Sequence, residues 1–148
     1  MTTSPTAQQH GTISTAELAQ QYLDAAWNRG DATALGALAS ADLEVSFPLL
    51  PDVVRGLEAF TQVLQQMRAG LPDLHFDFHP VATEGDTAVV RWEAAGTHTG
   101  RLLGLPATGR AVRWSGISVV EVANGRVARE WGEEDAMGLF RQLGVGSR

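Results

Sequence analysis

The stretch EWGEEDAMGLFRQLG, residues 130–144, sets four carboxylic acids, Glu130, Glu133, Glu134 and Asp135, around one tryptophan, Trp131. Such a group can move protons if one acid is buried beside an aromatic wall that raises its pKa toward neutrality. Asp135 follows Trp131 by four residues, one helical turn if a helix has begun. Glu133 follows it by two and is the rival. The bland alternative is that Asp135 only meets the first turn of a helix, where a negative charge contributes about 0.3–1 kcal/mol. By the same spacing Glu130 alternates with Arg129 and Trp131 on a strand, and Glu134 reads as a solvated acid of the first helical turn.

A second constellation is RWE, where Arg91 and Glu93 share one face of a strand and Trp92 takes the other. An inward Arg91–Glu93 pair makes a polar pocket, and an inward Trp92 an aromatic one. Bulges in a curved sheet leave that choice open. An outward pair is a surface ion pair worth about 0–1 kcal/mol. His75, Asp77 and His79 also alternate, a pattern that can converge on a metal. Their alternates Phe76 and Phe78 are the obvious core side chains, so the polar set is expected in solvent and no metal is expected. His98, in GTHTG at a strand end, is a pocket-rim donor or a structural hydrogen-bonding group. Trp27, Trp92, Trp114 and Trp131 are candidate walls of a binding cavity, with Phe47, Leu50 and Met67 at its mouth.

Absences narrow the chemistry. The chain contains no cysteine and no lysine, which excludes thiolate nucleophiles, Cys-bound metals and Schiff bases. A net charge of −6 argues against nucleic acid as partner. No apolar run approaches the ~20 residues that span a bilayer, and the opening MTTSPTAQQHGTIS lacks a basic segment followed by an apolar one. A cytoplasmic protein with a mobile tail at 1–13 and one domain at 14–145 is the expectation. No Gly-rich phosphate-binding spacing precedes a helix, so no nucleotide cofactor is expected.

The elements that must position these residues follow from periodicity. Ser14 and Glu17 have capping-box spacing, and Leu18, Tyr22, Ala25 and Ala26 make 15–28 an amphipathic helix ended by NRGD. A short helix runs to Leu38, a strand covers 43–47, and a helix covers 56–69. Strands then follow at 74–83, 87–100, 110–123 and 126–132, the last two joined by Asn124–Gly125, a strong hairpin signal. A final helix is expected over 134–143. Helices first and a strand meander after imply α+β, a curved antiparallel sheet with N-terminal helices over it enclosing a pocket.

WNRGD (27–31), LPDLHFDF (71–78), EGDTAVVRWEAAGTHTGRLLGLPATGR (84–110) and NGRVAREWGEEDAMGLFRQLG (124–144) resemble the SnoaL-like polyketide cyclases, of the cone-shaped nuclear-transport-factor-two-like superfamily. The resemblance covers about residues 15–145. It implies a homodimer and cofactor-free, aldol-type closure of a ring in a hydrophobic or aromatic small molecule. It also implies that Asp135, matched on Trp131, is the acid/base group. Family members often carry a histidine near Val119 or Val120, where this chain has valines. Limonene-type epoxide hydrolases of the same superfamily imply the alternative, with Arg91 orienting and Glu93 and Glu133 in place of two aspartates. A third reading is a cavity that binds or templates an intermediate without catalysis.

Overall fold

The computed structural model describes residues 13–146 and forms one six-stranded sheet with helices across one face. Helix α1 (Thr15–Leu23) starts at the expected capping box, with Ser14 and Glu17 satisfying each other's backbone amides. It widens into a π-helical turn (Asp24–Arg29) that ends at Gly30 in the left-handed conformation. Helix α2 (Ala32–Leu38), β1 (Ala39–Ser46), the short β2 (Val54–Arg55) and α3 (Leu57–Gly70) follow. The meander is β3 (His75–Glu84), β4 (Thr87–Thr97), β5 (Ala111–Ala123) and β6 (Arg126–Glu134), and α4 (Ala136–Gln142) closes the described chain. Apart from Ile13, the anticipated tail lies outside the described residues. Among the described residues no helix is long and apolar enough to cross a membrane.

Spatial order in the sheet is β2-β1-β6-β5-β4-β3, antiparallel throughout except that β1 runs parallel to β6. The meander thus builds the sheet from its β3 edge inward, and β1 adds on the far side of β6. The β3 edge is tied to the π-helical turn by Asn28. Its amide oxygen accepts from the Phe76 amide at 2.7 Å, and its Nδ2 donates to the Phe76 carbonyl at 3.0 Å. One side chain therefore supplies both bonds that a neighbouring strand would make.

Register decides which side chains meet the helices. Ala88, Val90, Trp92 and Ala94 of β4 face inward, as do Val112, Trp114, Ser118 and Val120 of β5. In β6 the pairing slips: Val122 opposes Val127 but Glu121 opposes Arg129, so Ala128 is an extra residue. A one-residue bulge exchanges the two faces of everything beyond it. Val127 is inward before the bulge, and Glu130 and Gly132 are inward after it. Trp131 and Glu133 consequently project from the convex face.

Strand β6 also runs two residues past its expected end, which keeps Glu134 on the strand and in step with Glu130. The final helix starts later than the acidic spacing implies. Two inward glycines make room for aromatic rings on the concave face. A Cβ on Gly116 would lie 2.3 Å from Trp92 Cζ2 and 2.6 Å from the Glu133 carbonyl, and one on Gly132 would lie 2.7 Å from Phe47 Cε1. Replacing Gly116 with Ala is expected to cost about 1–3 kcal/mol by overpacking. Urea denaturation of the variant measures it, and an unchanged midpoint would refute the interlock of Trp92 with this strand.

Candidate functional site

The helices and the concave face of the sheet enclose a small cavity of ≈ 30 Å³ lined by Trp27, Phe47, Leu49, Leu50, Val63, Met67, Phe76, Trp92, Trp114, Ser118, Glu130 and Glu134. Leu49, Leu50, Val63 and Met67 also border an outer vestibule of ≈ 700 Å³ between α3 and the loops at 49–55 and 101–104. These four apolar side chains are the partition between the two spaces. Around the inner cavity the rings interlock edge to face: Trp27 on Phe47 and Phe60, and Trp92 on Trp114 with their planes at 90°. Such packing leaves flat, apolar walls of defined shape.

Two carboxylates interrupt those walls. Glu130 is fully buried and forms no ion pair among the described residues. Its Oε1 accepts from Tyr22 Oη at 2.8 Å, its Oε2 from Ser118 Oγ at 3.0 Å, and the Trp27 Nε1–H is shared between both oxygens at 3.1 Å. Ser118 is in turn fixed as a donor, because its oxygen accepts from Trp92 Nε1 at 3.1 Å. Three donors on about four lone-pair positions leave one position for a proton. Burial pushes the Glu130 carboxyl up to about 7, against the pull of its three donors and with the added repulsion of Glu134. Tyr22 is held neutral, its pKa raised well above the ordinary value first by burial and then by the Glu130 charge.

Glu134 sits two strand positions beyond Gly132 and stands at the other end of the acidic pair. Its Oε1 accepts from Trp114 Nε1 at 3.1 Å and its Oε2 from the Leu49 amide at 3.0 Å. Burial raises its pKa, opposed by those two hydrogen bonds and assisted by the charge of Glu133. An ionised Glu134 adds a smaller repulsion that favours the protonated form of Glu130.

Six of the eight side chains expected to bind substrate line the cavity: Trp27, Phe47, Leu50, Met67, Trp92 and Trp114. Trp131 does not, because the β6 bulge turns it outward, where its Nε1 donates to Glu121 at 2.6 Å and Arg129 stacks over its ring. His98 does not either. It is fully buried at the end of β4, with Nδ1 2.9 Å from Thr108 Oγ1, pinning the following loop.

The four acids and bases singled out for chemistry are likewise placed elsewhere. Asp135 is the exposed N-cap of α4, accepting from the Gly138 amide at 2.9 Å, and its own amide donates to Ser115 where the chain leaves the sheet. A Cβ at Gly138 would come within 2.1 Å of the Asp135 carboxylate, so the glycine admits the cap. Arg91 and Glu93 form an exposed pair at 3.7 Å on the convex face, with His79 3.8 Å from Glu93, and Glu133 projects from that same face. Inward Trp92 leaves them no other side. His75 pairs with Asp77 at 3.1 Å in the exposed half of β3.

Glu130, Glu134, Ser118 and Phe76, which line the cavity, and Tyr22, which donates to Glu130, are not singled out for the site by sequence periodicity. A glutamate aligned with the inward valines of β5 is a signal only once the bulge at Ala128 is known.

A sequence model described as SnoaL-like polyketide cyclase matches residues 17–143. The aklanonic acid methyl ester cyclase DnrD of Streptomyces peucetius is 30% identical over 94 residues, 62% of this chain and 63% of that relative. The match thus spans less than two thirds of the relative's length. Among solved structures, TsrD from Streptomyces laurentii is 32% identical with a TM-score of 0.76, covering 88% of this chain and 94% of its own. A candidate SnoaL-like polyketide cyclase from Jannaschia sp. CCS1, at 21% identity and a TM-score of 0.79 over 87% of this chain and 90% of its own, shares the fold.

The raised pKa of Glu130 links stability to pH. An acid whose folded pKa lies above its unfolded value contributes stability that is complete below the unfolded pKa and lost as pH rises through the folded one. With values of 4.5 and about 7, the loss between pH 4.5 and 8 is about 3 kcal/mol. Urea titrations at the two pH values are expected to show that decline in the native protein and most of it abolished in Glu130→Gln. An equal decline in both would show that Glu130 is not the group responsible.

Proposed function

This chain belongs to the SnoaL-like polyketide cyclase family, and we propose that it closes a ring in a polyketide-like small molecule by proton transfer between Glu134 and Glu130, with no cofactor. The observation that carries this reading is the pair of carboxylates lining one aromatic cavity, each raised by burial, with the Glu134 charge adding a smaller repulsion at Glu130. Aldol-type closure needs a base for a carbon acid and an acid for the resulting alkoxide. An ionised Glu134 and a protonated Glu130 supply both.

Glu134, the more accessible member, acts as base. Its carboxylate takes a proton from a carbon flanked by carbonyls. The enolate carbon then attacks a second carbonyl of the same molecule, so a C–C bond forms as a C=O π bond breaks. Glu130, whose carboxyl burial pushes up to about 7, gives its proton to the alkoxide. The cycle ends with Glu134 protonated and Glu130 ionised; Glu134 returns its proton to water and Glu130 takes one from water, so the pair is reset without net consumption. The Leu49 amide and Trp114 indole hold Glu134 in place, so little reorganisation is required during the step. The walls of Trp27, Phe76, Trp92 and Trp114 admit only the reacting end of a molecule whose remainder lies in the outer vestibule.

The name of the Streptomyces relative offers aklanonic acid methyl ester as a first compound to assay, alongside its free acid. On a compound that turns over, Glu134→Gln is expected to lower kcat by about 10²–10⁴, the usual contribution of a positioned base. Because Glu130 must be protonated, the rate falls as pH rises through about 7, and Glu130→Gln removes that limb. Asp135→Asn keeps the helix cap and is expected to leave kcat within about twofold, as surface substitutions do. An undiminished rate in Glu134→Gln would remove Glu134 from the mechanism.

A further inference from the structure

The chain makes the same tight turn twice. At Asn124–Gly125, between β5 and β6, both central residues have positive φ, 54° and 74°. At Leu103–Gly104 the values are 51° and 80°, and Leu102 and Leu105 close the turn with reciprocal backbone bonds of 3.0 and 2.8 Å. Asparagine tolerates the left-handed region at the first position. Leucine does not, because its Cβ crowds the following carbonyl.

Packing within the protein does not account for the leucine. The anchor of this loop is Leu102, which is buried against Gly70, where a Cβ would meet its side chain at 2.7 Å. The amides of Thr99 and Gly100 both donate to the Gly70 carbonyl at 3.2 Å, fastening the loop to the end of α3. Leu103 is instead 39% exposed and borders the outer vestibule. A strained backbone held by a rigid base, with an apolar side chain over a cavity, marks a contact made when that cavity is filled.

Charge gives the ligand a direction. Arg101 also lines the vestibule; its Nη1 donates to the Gly104 carbonyl at 2.8 Å, and among the described residues it has no carboxylate partner. Asp52 and Arg55 also line the vestibule, and the Arg55 guanidinium is engaged by Glu44. The inner end carries Glu134, whose carboxylate repels an anion. The inner cavity of ≈ 30 Å³ holds a water or two, so any ring-forming ligand must extend through the partition into the vestibule.

We propose that the Arg101–Leu105 turn is a substrate clamp, with Leu103 covering a planar ring system and Arg101 binding a carboxylate at the end remote from the reacting carbonyls. The assignment rests on the inner cavity being the reaction site, but its test reads binding and not turnover. Anthraquinone-2-carboxylate and its neutral carboxamide are the probes, titrated calorimetrically into the native protein, Leu103→Asn, Arg101→Gln and Glu134→Gln.

Leu103→Asn relieves the backbone, so its urea midpoint rises while both probes bind at least threefold more weakly. Arg101→Gln weakens the carboxylate at least tenfold and the carboxamide less than twofold. Glu134→Gln binds both probes without loss, which separates the clamp from the chemistry. The clamp is overturned if Leu103→Asn binds as the native protein does, if Arg101→Gln weakens both probes alike, or if the native protein binds neither.

Discussion

Burial of the Glu130 carboxyl among neutral donors is the constraint on which the rest of the molecule turns. A carboxylate removed from water is costly unless its oxygens are hydrogen-bonded. Among the described residues no cation compensates it, and the donors come from three separate elements: Tyr22 from α1, Trp27 from the π-helical turn and Ser118 from β5. The helical layer is therefore attached to the sheet by polar contacts at its centre as well as by apolar packing around it. Incomplete compensation leaves the group between its charged and neutral forms near pH 7, the condition that proton-transfer chemistry requires.

The local irregularities serve that centre. Widening of the first helix into a π turn carries Trp27, whose indole N–H reaches the carboxyl. The extra residue at Ala128 turns Glu130 inward and keeps Gly132 and Glu134 in phase with it. Gly132 and Gly116 give up side chains so that Phe47 and Trp92 can close over the strand between the acids. Trp92 then orients Ser118, and Trp114 orients Glu134. Each aromatic residue of this group is wall on one side and hydrogen-bond donor or packing support on the other.

The order of elements, the capping box at Ser14, the hairpin at Asn124–Gly125 and the alternation in β4 and β5 were legible in the sequence, because each depends on neighbours within a few residues. So were most of the aromatic cavity residues, since large apolar side chains on the helix-facing side of a curved sheet have few other places to go. The acids were not. EWGEED supports two continuations after Gly132, an early helix or a longer strand, and local propensity does not separate them. The early helix makes Asp135 the attractive acid. The longer strand makes Asp135 a cap and Glu134 a cavity residue.

Composition and short-range pattern suffice for the class of fold, the family and the absence of lysine and cysteine chemistry. Which acids of EWGEED face the cavity depends instead on how β6 pairs with its neighbour. A strand has a period of two. One inserted residue exchanges both faces of β6, and its position is set by pairing with β5 and not by anything within the segment itself.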